Sequence, residues 1–461
     1  MKSKRHLIIA YIGGGSRQWA RNMMSDLALD DEINGEVRLY DIDQKAAENN
    51  VKVGTLFQAH PKAKSSFTYH HSQTLESALT GADFVIISIL PATFKEMEIY
   101  THHPESYGIY QSVGDTTGPA GVMRSLIAIP IFYDFAQKIK MYCPNAWVIN
   151  FTNPMTMCLQ ALYEGFPEIK AYGNCHEVFG SQMDLADLYN QYVGDKTATK
   201  DDVLITVSGI NHFTWITKAT CFNTDLLQIY DQHVKAYGAP HIDEPNKSEK
   251  EHAPFGSASK VKYDLYLQFD CMAAAGDRHL AEFMPVSYYL GGKEKIKTFK
   301  FHLTPVSYRI HTLQKANQYT EDLIDEKQTF DLWKSGEEGV KQMKALMGLH
   351  TFVTNVNTIN KGQAKGLPLG LVVETNALFR TDEVTPIDAG FLPVAVEQMV
   401  THHMYNHKLV MESFRQKDLK HAKRALANEP LCMHLDFKEV SKMFDEMTEE
   451  LSAYLDHYIQ S

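Results

Sequence analysis

Cysteine pairs of the kind that form disulfides or bind structural metals are absent from this sequence. Its 461 residues include six cysteines, and no two of them have CxxC spacing. Small secreted domains depend on disulfide frameworks, and structural zinc sites usually show local pairs of ligands. We therefore expect a protein of the reducing cytoplasm, whose cysteines are either inert core residues or chemically reactive ones.

Long apolar runs and an excess of positive charge are also missing. No apolar run approaches the roughly 18 residues that a membrane span needs. The formal net charge of −11 argues against binding to nucleic acid or to anionic membranes. At the N-terminus "LIIAYI" follows basic residues, but it is too short for a secretory signal and glycines follow it. A small ligand, which could still be anionic, is the expected partner.

Short apolar segments alternate with amphipathic ones in the first part of the chain. Segments 6–12, 35–43, 82–90, 146–154 and 169–177 have the pattern of buried strands separated by helices. This order predicts βαβ units and a doubly wound parallel sheet of the α/β class, with helices on both faces. Near residue 195 the pattern changes to longer, half-alternating strands. We predict two domains, 1–195 and 196–461, a loop or lid at 236–260, and helices from 393 to 459.

A glycine-rich turn follows the first predicted strand, in "HLIIAYIGGGSRQW". Such a turn lets backbone N–H groups approach a pyrophosphate at a helix N-terminus. Gln18 stands where the third glycine of the dinucleotide fingerprint is expected, so an ordinary strand–helix turn remains an alternative. An acidic residue ends the next strand, where it could bind the ribose of NAD. The predicted NAD-binding residues are Gly13, Gly14, Gly15, Ser16 and Asp41.

Three further segments carry polar residues at predicted strand ends or turns. They are "NFTNPM" with Asn153, "GNCHEVFG" with Cys175, His176 and Glu177, and "GINHFTW" with His212. A fourth segment, "AAAGDRHLAEFMP", contains Asp277 and Arg278. Each segment alone also fits a structural interpretation: an Asn-Pro turn, a buried polar residue or a helix N-cap. From spacing alone, these residues indicate an NAD-dependent oxidoreductase, with a metal as a further possibility.

The ordered set "YIGGGS", "LYDID", "GPAGVMRSLIAIP", "NFTNPM", "NCHEVFG", "GINHFTW" and "DRHLAEFMP" resembles glycoside hydrolase family 4. The resemblance runs from about residue 5 to residue 395, where "LVVETNALF" and "DAGFLP" resemble late segments of the family. It implies a Rossmann domain at 1–195. A C-terminal α/β domain at 196–461, similar to that of lactate and malate dehydrogenases, would bind substrate and metal and mediate oligomerisation as a homodimer or homotetramer.

The resemblance also implies a reaction that differs from that of most glycosidases. NAD and a divalent metal, usually manganese, serve in place of paired carboxylates. In the family, NAD⁺ takes a hydride from sugar C3 and a base removes the C2 proton. The C1 leaving group is then eliminated, water adds, and the hydride returns. The cofactor is thus regenerated in every turnover.

Roles for individual residues follow from the resemblance. It implies Cys175 and His212 as metal ligands, Asn153 as a contact to a substrate hydroxyl, and His176 as a substrate contact or helper acid. The implied C2 base is Asp277, with Tyr263 and Tyr266 as alternatives. "VGDTTGP" departs from the family, because Asp115 stands where a glutamate is expected.

Cys-His-Glu-Val at 175–178 resembles the α-galacturonidase branch, whose members release galacturonic acid from pectin fragments. A uronate carboxylate favours a bidentate arginine, and Arg278 and Arg124 are the candidates. Glu177 could orient an arginine or His176. The open alternatives are a family 4 α-galactosidase, α-glucosidase or α-glucuronidase and, more remotely, a 2-hydroxyacid dehydrogenase or a non-catalytic NAD-sensing module.

Overall fold

The computed structural model describes residues 5–195, 197–244 and 256–458. The strands are β1 (Arg5–Ile12), β2 (Ile33–Tyr40), β3 (Phe67–His71), β4 (Phe84–Ile87), β5 (Trp147–Asn150), β6 (Lys170–Gly173), β7 (Val203–Ile210), β8 (Phe213–Cys221), β9 (Thr224–Asp225), β10 (Met272–Ala273), β11 (Phe352–Ile359), β12 (Ala364–Lys365), β13 (Val372–Arg380), β14 (Glu383–Pro386) and β15 (Gly390–Phe391).

The α-helices are α1 (Trp19–Leu29), α2 (Gln44–Ala59), α3 (Leu75–Leu79), α4 (Phe94–His102), α5 (Gly118–Tyr142), α6 (Met155–Gly165), α7 (Glu177–Val193), α8 (Leu226–Tyr237), α9 (Lys260–Phe269), α10 (Asp277–Glu282), α11 (Val286–Tyr289), α12 (Lys293–Thr298), α13 (Val306–Ile324), α14 (Gly339–Leu346), α15 (Val394–Gln416), α16 (Lys420–Asn428) and α17 (Phe437–Glu450). Short 3₁₀ turns lie at His103–Tyr107, Lys200–Asp202, Pro430–Cys432, Ser452–Tyr454 and Asp456–Tyr458.

The main sheet has the strand order β14-β13-β11-β6-β5-β4-β1-β2-β3. Strands β1 to β6 are parallel to one another, as the alternation of strands and helices predicts. Strand β11 joins β6 in antiparallel orientation, with Asn357 opposite Gly173, and β13 and β14 continue the sheet. Parallel strands end at the same edge, so the segments after β1, β4, β5 and β6 meet there.

Helices cover both faces of this sheet because its central strands are apolar on both faces. In β1, Ile9 and Tyr11 face a core shared with α1, α2 and α14, whereas Ala10 and Ile12 face a core shared with α5 and α6. Strand β2 differs, since its residues alternate between buried and half-buried. It lies second from the edge of the sheet, where coverage is less complete.

A second, antiparallel sheet has the order β10-β8-β7, with β9 pairing with β8. Strands β7 and β8 form a hairpin whose turn is Asn211–His212, since Ile210 pairs with Phe213. Helices α7 and α8 pack on this hairpin around a third core. The half-alternating pattern that begins near residue 203 is thus a hairpin.

Most predicted elements are present, with shifted ends. The first helix begins at Trp19 rather than at residue 16, and the strand predicted at 82–90 covers only Phe84–Ile87. The division at 195/196 stays a prediction, although strands from beyond it complete the first sheet. Of the predicted loop or lid at 236–260, residues 245–255 lie outside the described residues. Among the described helices, none is long and apolar enough to cross a membrane.

Candidate active site

The carboxyl edge of the main sheet gathers the predicted site residues. The glycine turn follows β1, Asn153 follows β5, and Cys175 to Glu177 follow β6. Strand β4 separates β1 from β5, and neighbouring strands lie about 4.8 Å apart. The glycine turn and the "NFTNPM" segment therefore leave the sheet about 10 Å apart. Open parallel sheets place their ligands at this edge.

The glycine turn is held tightly by the chain itself. The N–H groups of Gly13 and Gly14 both donate to the Tyr40 carbonyl at 2.9 Å. Gly13 has φ +92°, and a Cβ there would lie 1.9 Å from the Ser88 carbonyl oxygen. A Cβ at Gly15 would lie 2.7 Å from that of Ala46. The turn therefore needs glycine for close packing, and it brings the backbone to the start of helix α1.

Asp41 and Ser16 stabilise this turn directly. One Asp41 carboxylate oxygen accepts the Gly15 N–H at 2.8 Å, and the other accepts the Asp43 N–H at 2.9 Å. Ser16 Oγ accepts the Trp19 N–H at 3.0 Å, although Gln18 occupies the cap position of α1. Asp41 thus links the end of β2 to the turn, and Ser16 contacts the first turn of the helix.

A cluster of Asp115, His212 and His279 lies at the same edge. Each contributes one potential ligand atom, and these atoms lie within 4.8 Å of one another. The imidazoles of His212 and His279 stack with their centroids 3.6 Å apart. We call these three residues the acid–histidine cluster. Two imidazoles and a carboxylate are a donor set that suits a first-row divalent metal.

Local backbone geometry brings the three residues together. His212 occupies the β7–β8 turn at φ +64°, in the left-handed region that a histidine adopts only at an energetic cost. Asp115 lies in a loop whose Val113 and Gly114 N–H groups donate to Glu282 Oε1 at 2.7 and 2.9 Å. Glu282 is in α10, the helix that also carries His279. Helix α10 therefore fixes both the loop and the second histidine.

Hydrogen bonds orient the cluster. Thr116 Oγ1 lies 2.7 Å from His212 Nδ1 and donates to Asp115 Oδ1 at 2.6 Å. His212 Nδ1–H therefore donates to Thr116, which leaves the lone pair on Nε2. Asn153 Nδ2 donates to Asp115 Oδ2 at 3.3 Å, and Arg124 Nε donates to the Asn153 carbonyl at 3.1 Å.

The charge states of the cluster suit a cation. Burial, together with the neighbouring His279, lowers the pKa of His212 to about 3, so the imidazole is neutral and can act as a ligand. Burial alone would raise the Asp115 pKa, but His279, His212 and Arg124 hold it well below its usual range. The cluster thus offers one carboxylate and a neutral imidazole at neutral pH.

Several buried polar atoms around Asp115 have no hydrogen-bond partner within the described ranges. They are Asn153 Oδ1, His279 Nδ1, Tyr100 OH and Arg309 Nε. Buried polar groups are usually satisfied by protein, water or ligand. The four atoms beside the acid–histidine cluster are therefore candidate contacts for a ligand.

Two family models match the chain. "Family 4 glycosyl hydrolase" matches residues 8–191, and "Family 4 glycosyl hydrolase C-terminal domain" matches residues 207–432. The chain belongs to glycosyl hydrolase family 4. It is therefore a glycosidase, and the resemblance of the motifs is confirmed.

Full-length relatives support this membership. An α-galacturonidase of Thermoanaerobacter italicus is 47% identical over 447 residues, which are 97% of this chain and 97% of that protein. The crystal structure of the Bacillus subtilis protein lplD, provisionally named a glucosidase, matches with a TM-score of 0.91. It is 43% identical and covers 96% of this chain and 100% of that one.

More distant structures show the fold. A 6-phospho-α-glucosidase from gut microorganisms, solved with NAD and Mn²⁺, has a TM-score of 0.79 at 18% identity, over 98% of this chain and 99% of that one. A malate dehydrogenase from Naegleria fowleri has a TM-score of 0.50 at 12% identity, over 89% of this chain and 99% of that one. The predicted fold class is confirmed: a Rossmann sheet followed by an α/β part like that of lactate and malate dehydrogenases.

In this family 4 chain, the segment after β6 lies beside the acid–histidine cluster. Glu177 Oε2 accepts the Gly276 N–H at 2.8 Å, and Oε1 lies 3.7 Å from His279 Nε2 and 4.0 Å from His176 Nε2. Glu177 thus lies between two histidines, and its orientation of His176 or of an arginine stays a prediction. His176 also lies 3.5 Å from Glu337 and packs near Trp19 at the start of α1.

Cys175 is buried, and among the described residues it does not belong to the acid–histidine cluster. Burial, Glu374 and Glu177 raise its pKa well above the usual value, so without a bound cation the thiol is protonated. Glu374 accepts hydrogen bonds from Thr214 and Asn355. The role of Cys175 as a metal ligand stays a prediction.

The three candidate bases lie around helix α9. Asp277 Oδ1 accepts the Lys262 N–H at 2.9 Å, and burial raises the Asp277 pKa. Tyr263 OH lies 3.3 Å from His233 Nε2, and Tyr266 OH donates to Asp231 at 3.4 Å. Both tyrosines therefore face helix α8. The choice among the three stays a prediction.

Arg278 is engaged with the chain. It donates to the carbonyls of His302 and Ser112 at 3.1 and 2.8 Å, and also to Thr304 Oγ1. Sequence reasoning did not assign Arg309 or the ligand role of His279. The "DRH" motif carried a signal for His279, whereas Arg309 lies in an amphipathic helix without a motif.

Proposed function

We propose that the chain is an α-galacturonidase that depends on NAD and a divalent metal. The observation that carries this proposal is the position of the acid–histidine cluster at the same sheet edge as the glycine turn. The choice of sugar is supported by the full-length relative named α-galacturonidase. Pectin fragments in the cytoplasm are the proposed substrates, and a homodimer or homotetramer is the proposed assembly.

The residues of the cluster fit a divalent metal such as Mn²⁺. His212, His279 and Asp115 would hold it, with Cys175 as a proposed further ligand. Asn153 Oδ1 and His279 Nδ1 are buried without a hydrogen-bond partner among the described residues, so a ligand bound here could satisfy them. The bound metal would supply Lewis-acid stabilisation to oxygens of the substrate, and bound NAD would supply reversible hydride transfer.

The residues of the chain perform the remaining tasks. The N–H groups of the turn at Gly13–Ser16 already donate within the chain, so the turn positions the N-terminus of α1, and the pyrophosphate is proposed to bind at that helix end. Asp41 lies where the ribose is expected. Asn153 contacts a substrate hydroxyl. His176 acts as a substrate contact or helper acid. Asp277, or in its place Tyr263 or Tyr266, takes the proton from C2.

The testing experiment compares hydrolysis of the 4-nitrophenyl α-glycosides of galacturonic acid, glucuronic acid, galactose and glucose. We expect the galacturonide to be cleaved fastest, only with NAD⁺ and Mn²⁺ present, and with no net formation of NADH. Preference for another sugar, or activity that survives chelation, would contradict the proposal. Net NADH formation would instead indicate the 2-hydroxyacid dehydrogenase alternative.

A further inference from the structure

We infer that Arg309 binds the carboxylate of the substrate, the group that distinguishes a galacturonide from a galactoside. This inference rests on the proposed function and identifies the residue that determines specificity. Arg309 lies in the first turn of α13, and its Nη2 donates to the Val113 carbonyl at 3.2 Å. Val113 is two residues before Asp115. The guanidinium therefore lies against the loop that carries the carboxylate of the acid–histidine cluster.

The hydrogen bonds of the nearby arginines single out Arg309. Arg124 Nε donates to the Asn153 carbonyl, and Arg278 Nε donates to the His302 carbonyl. Arg309 Nε is buried and has no acceptor within residues 5–195, 197–244 and 256–458. Burying a guanidinium N–H without an acceptor is unfavourable. The acceptor is therefore expected to arrive with the ligand.

The geometry of the guanidinium fits a carboxylate. Nε and the second proton of Nη2 lie on one edge, which can donate two parallel hydrogen bonds to a carboxylate. The Val113 carbonyl uses only one proton of Nη2. Side-on binding of a carboxylate would use Nε, which has no acceptor among the described residues, together with the Nη2 proton that the Val113 carbonyl leaves free.

The local charge includes three arginines and the carboxyls of Asp115 and Glu282, and burial raises the pKa of Glu282 to about 7, so the arginines are in excess. Arg124, Arg278 and Arg309 all lie close enough to Asp115 to affect or to feel its charge. The Tyr100 hydroxyl, buried and without a partner in the described residues, is an electrostatic neighbour of Arg309 as well. A second carboxylate entering this pocket would be neutralised by arginine and could accept from Tyr100.

The experiment measures binding of galacturonate and of galactose by calorimetry to enzyme loaded with NAD⁺ and Mn²⁺. The variants are Arg309→Met and Arg309→Lys, and Arg380→Met is the control, since Arg380 is exposed and pairs with Glu383 on the surface. We expect Arg309→Met to lower the ratio of galacturonate to galactose affinity by about 10- to 100-fold. Arg309→Lys keeps the positive charge but lacks the planar guanidinium, so its affinity ratio should lie between those of the wild type and Arg309→Met. The kcat/KM ratio for the two 4-nitrophenyl glycosides should change in parallel.

A merely structural role of Arg309 gives a different result. With such a role, the substitutions would weaken the binding of both sugars equally, or would lower Tm and Mn²⁺ affinity in both variants. Either outcome overturns the inference. An unchanged ratio in Arg309→Met also overturns it. The proposed function fails separately, if the wild-type enzyme does not hydrolyse the galacturonide at all.

Discussion

The glycine turn and the acid–histidine cluster share one edge of the sheet, but they differ in how complete they are. In the turn, the chain supplies its own partners: Tyr40 accepts two N–H groups and Asp41 accepts a third. Around the cluster, four buried polar atoms lack a partner in the described residues. The hydrogen bonds of the turn are complete within the chain, whereas those of the cluster leave places that the proposed metal and substrate would fill.

The comparison predicts that replacing a cluster residue lowers the rate of hydrolysis much more than it lowers the stability of the fold. We expect His212→Ala to lower galacturonide hydrolysis by more than about 100-fold, because substitutions outside the ligand shell already cost 10- to 100-fold. Its Tm should change little. His70→Ala, on an exposed part of β3, is the matched control and should retain wild-type rates. Activity of His212→Ala within threefold of wild type would remove His212 from the site.

A change in the turn should have the opposite effect and harm folding most. Gly13→Ala combines a left-handed φ with a Cβ that meets the Ser88 carbonyl, and we expect a loss of about 2–5 kcal/mol in the free energy of unfolding. Gly81→Ala is the control, since Gly81 has φ +69° and open space around its Cβ position. It should lose only about 1–2 kcal/mol. Equal losses in urea unfolding would show that close packing at the turn is unimportant.

Glu282 stabilises the cluster region itself, because its carboxylate accepts hydrogen bonds from the loop that carries Asp115. Replacing it by alanine leaves the Val113 and Gly114 N–H groups without their acceptor, and we expect a loss of about 1–3 kcal/mol in stability. Glu282→Gln keeps one acceptor oxygen and should lose less. Urea unfolding and Mn²⁺ affinity, measured on both variants, check this order. A larger loss in the glutamine variant would contradict it.

The smallest expected effect is at Asp41. Asn at this position can accept only one of the two N–H groups that the carboxylate accepts, so Asp41→Asn should lose about 1 kcal/mol in stability. Its NAD⁺ affinity should fall by about tenfold if a charged acceptor to the ribose is lost. Asp31→Asn, at an exposed position after α1, serves as the control for removing one negative charge in calorimetric titration with NAD⁺. Equal NAD⁺ affinity in both variants would argue against a ribose contact.

Local patterns predicted the parallel half of the fold well. Apolar strands followed by amphipathic helices indicate βαβ units, and β1, β4, β5 and β6 lie where this pattern places them. Four strands of the sheet were not predicted: β3 at its parallel edge, and the antiparallel strands β11, β13 and β14. Strand β11 joins β6 by pairing Asn357 with Gly173, which are far apart in the sequence, and no local signal encodes such a partner.

The site was predictable only where it depends on short segments. Glycines at a strand end and an acid after the next strand identify the turn. The acid–histidine cluster combines a loop before α5, a hairpin turn and the helix α10, so its composition follows from tertiary structure. The family resemblance implied His212 as a metal ligand together with Cys175, not with Asp115 and His279. Arg309 has no motif around it.

The identity of the metal centre is the central claim, and Mn²⁺ titration of the His279→Ala variant tests it most directly. Electron paramagnetic resonance of free Mn²⁺ gives the affinity without relying on turnover, and Cys175→Ser and wild type are titrated alongside. The acid–histidine cluster predicts that His279→Ala weakens Mn²⁺ binding at least tenfold. Wild-type affinity in His279→Ala, with binding lost in Cys175→Ser, would contradict the cluster and favour a centre built on Cys175 and His212.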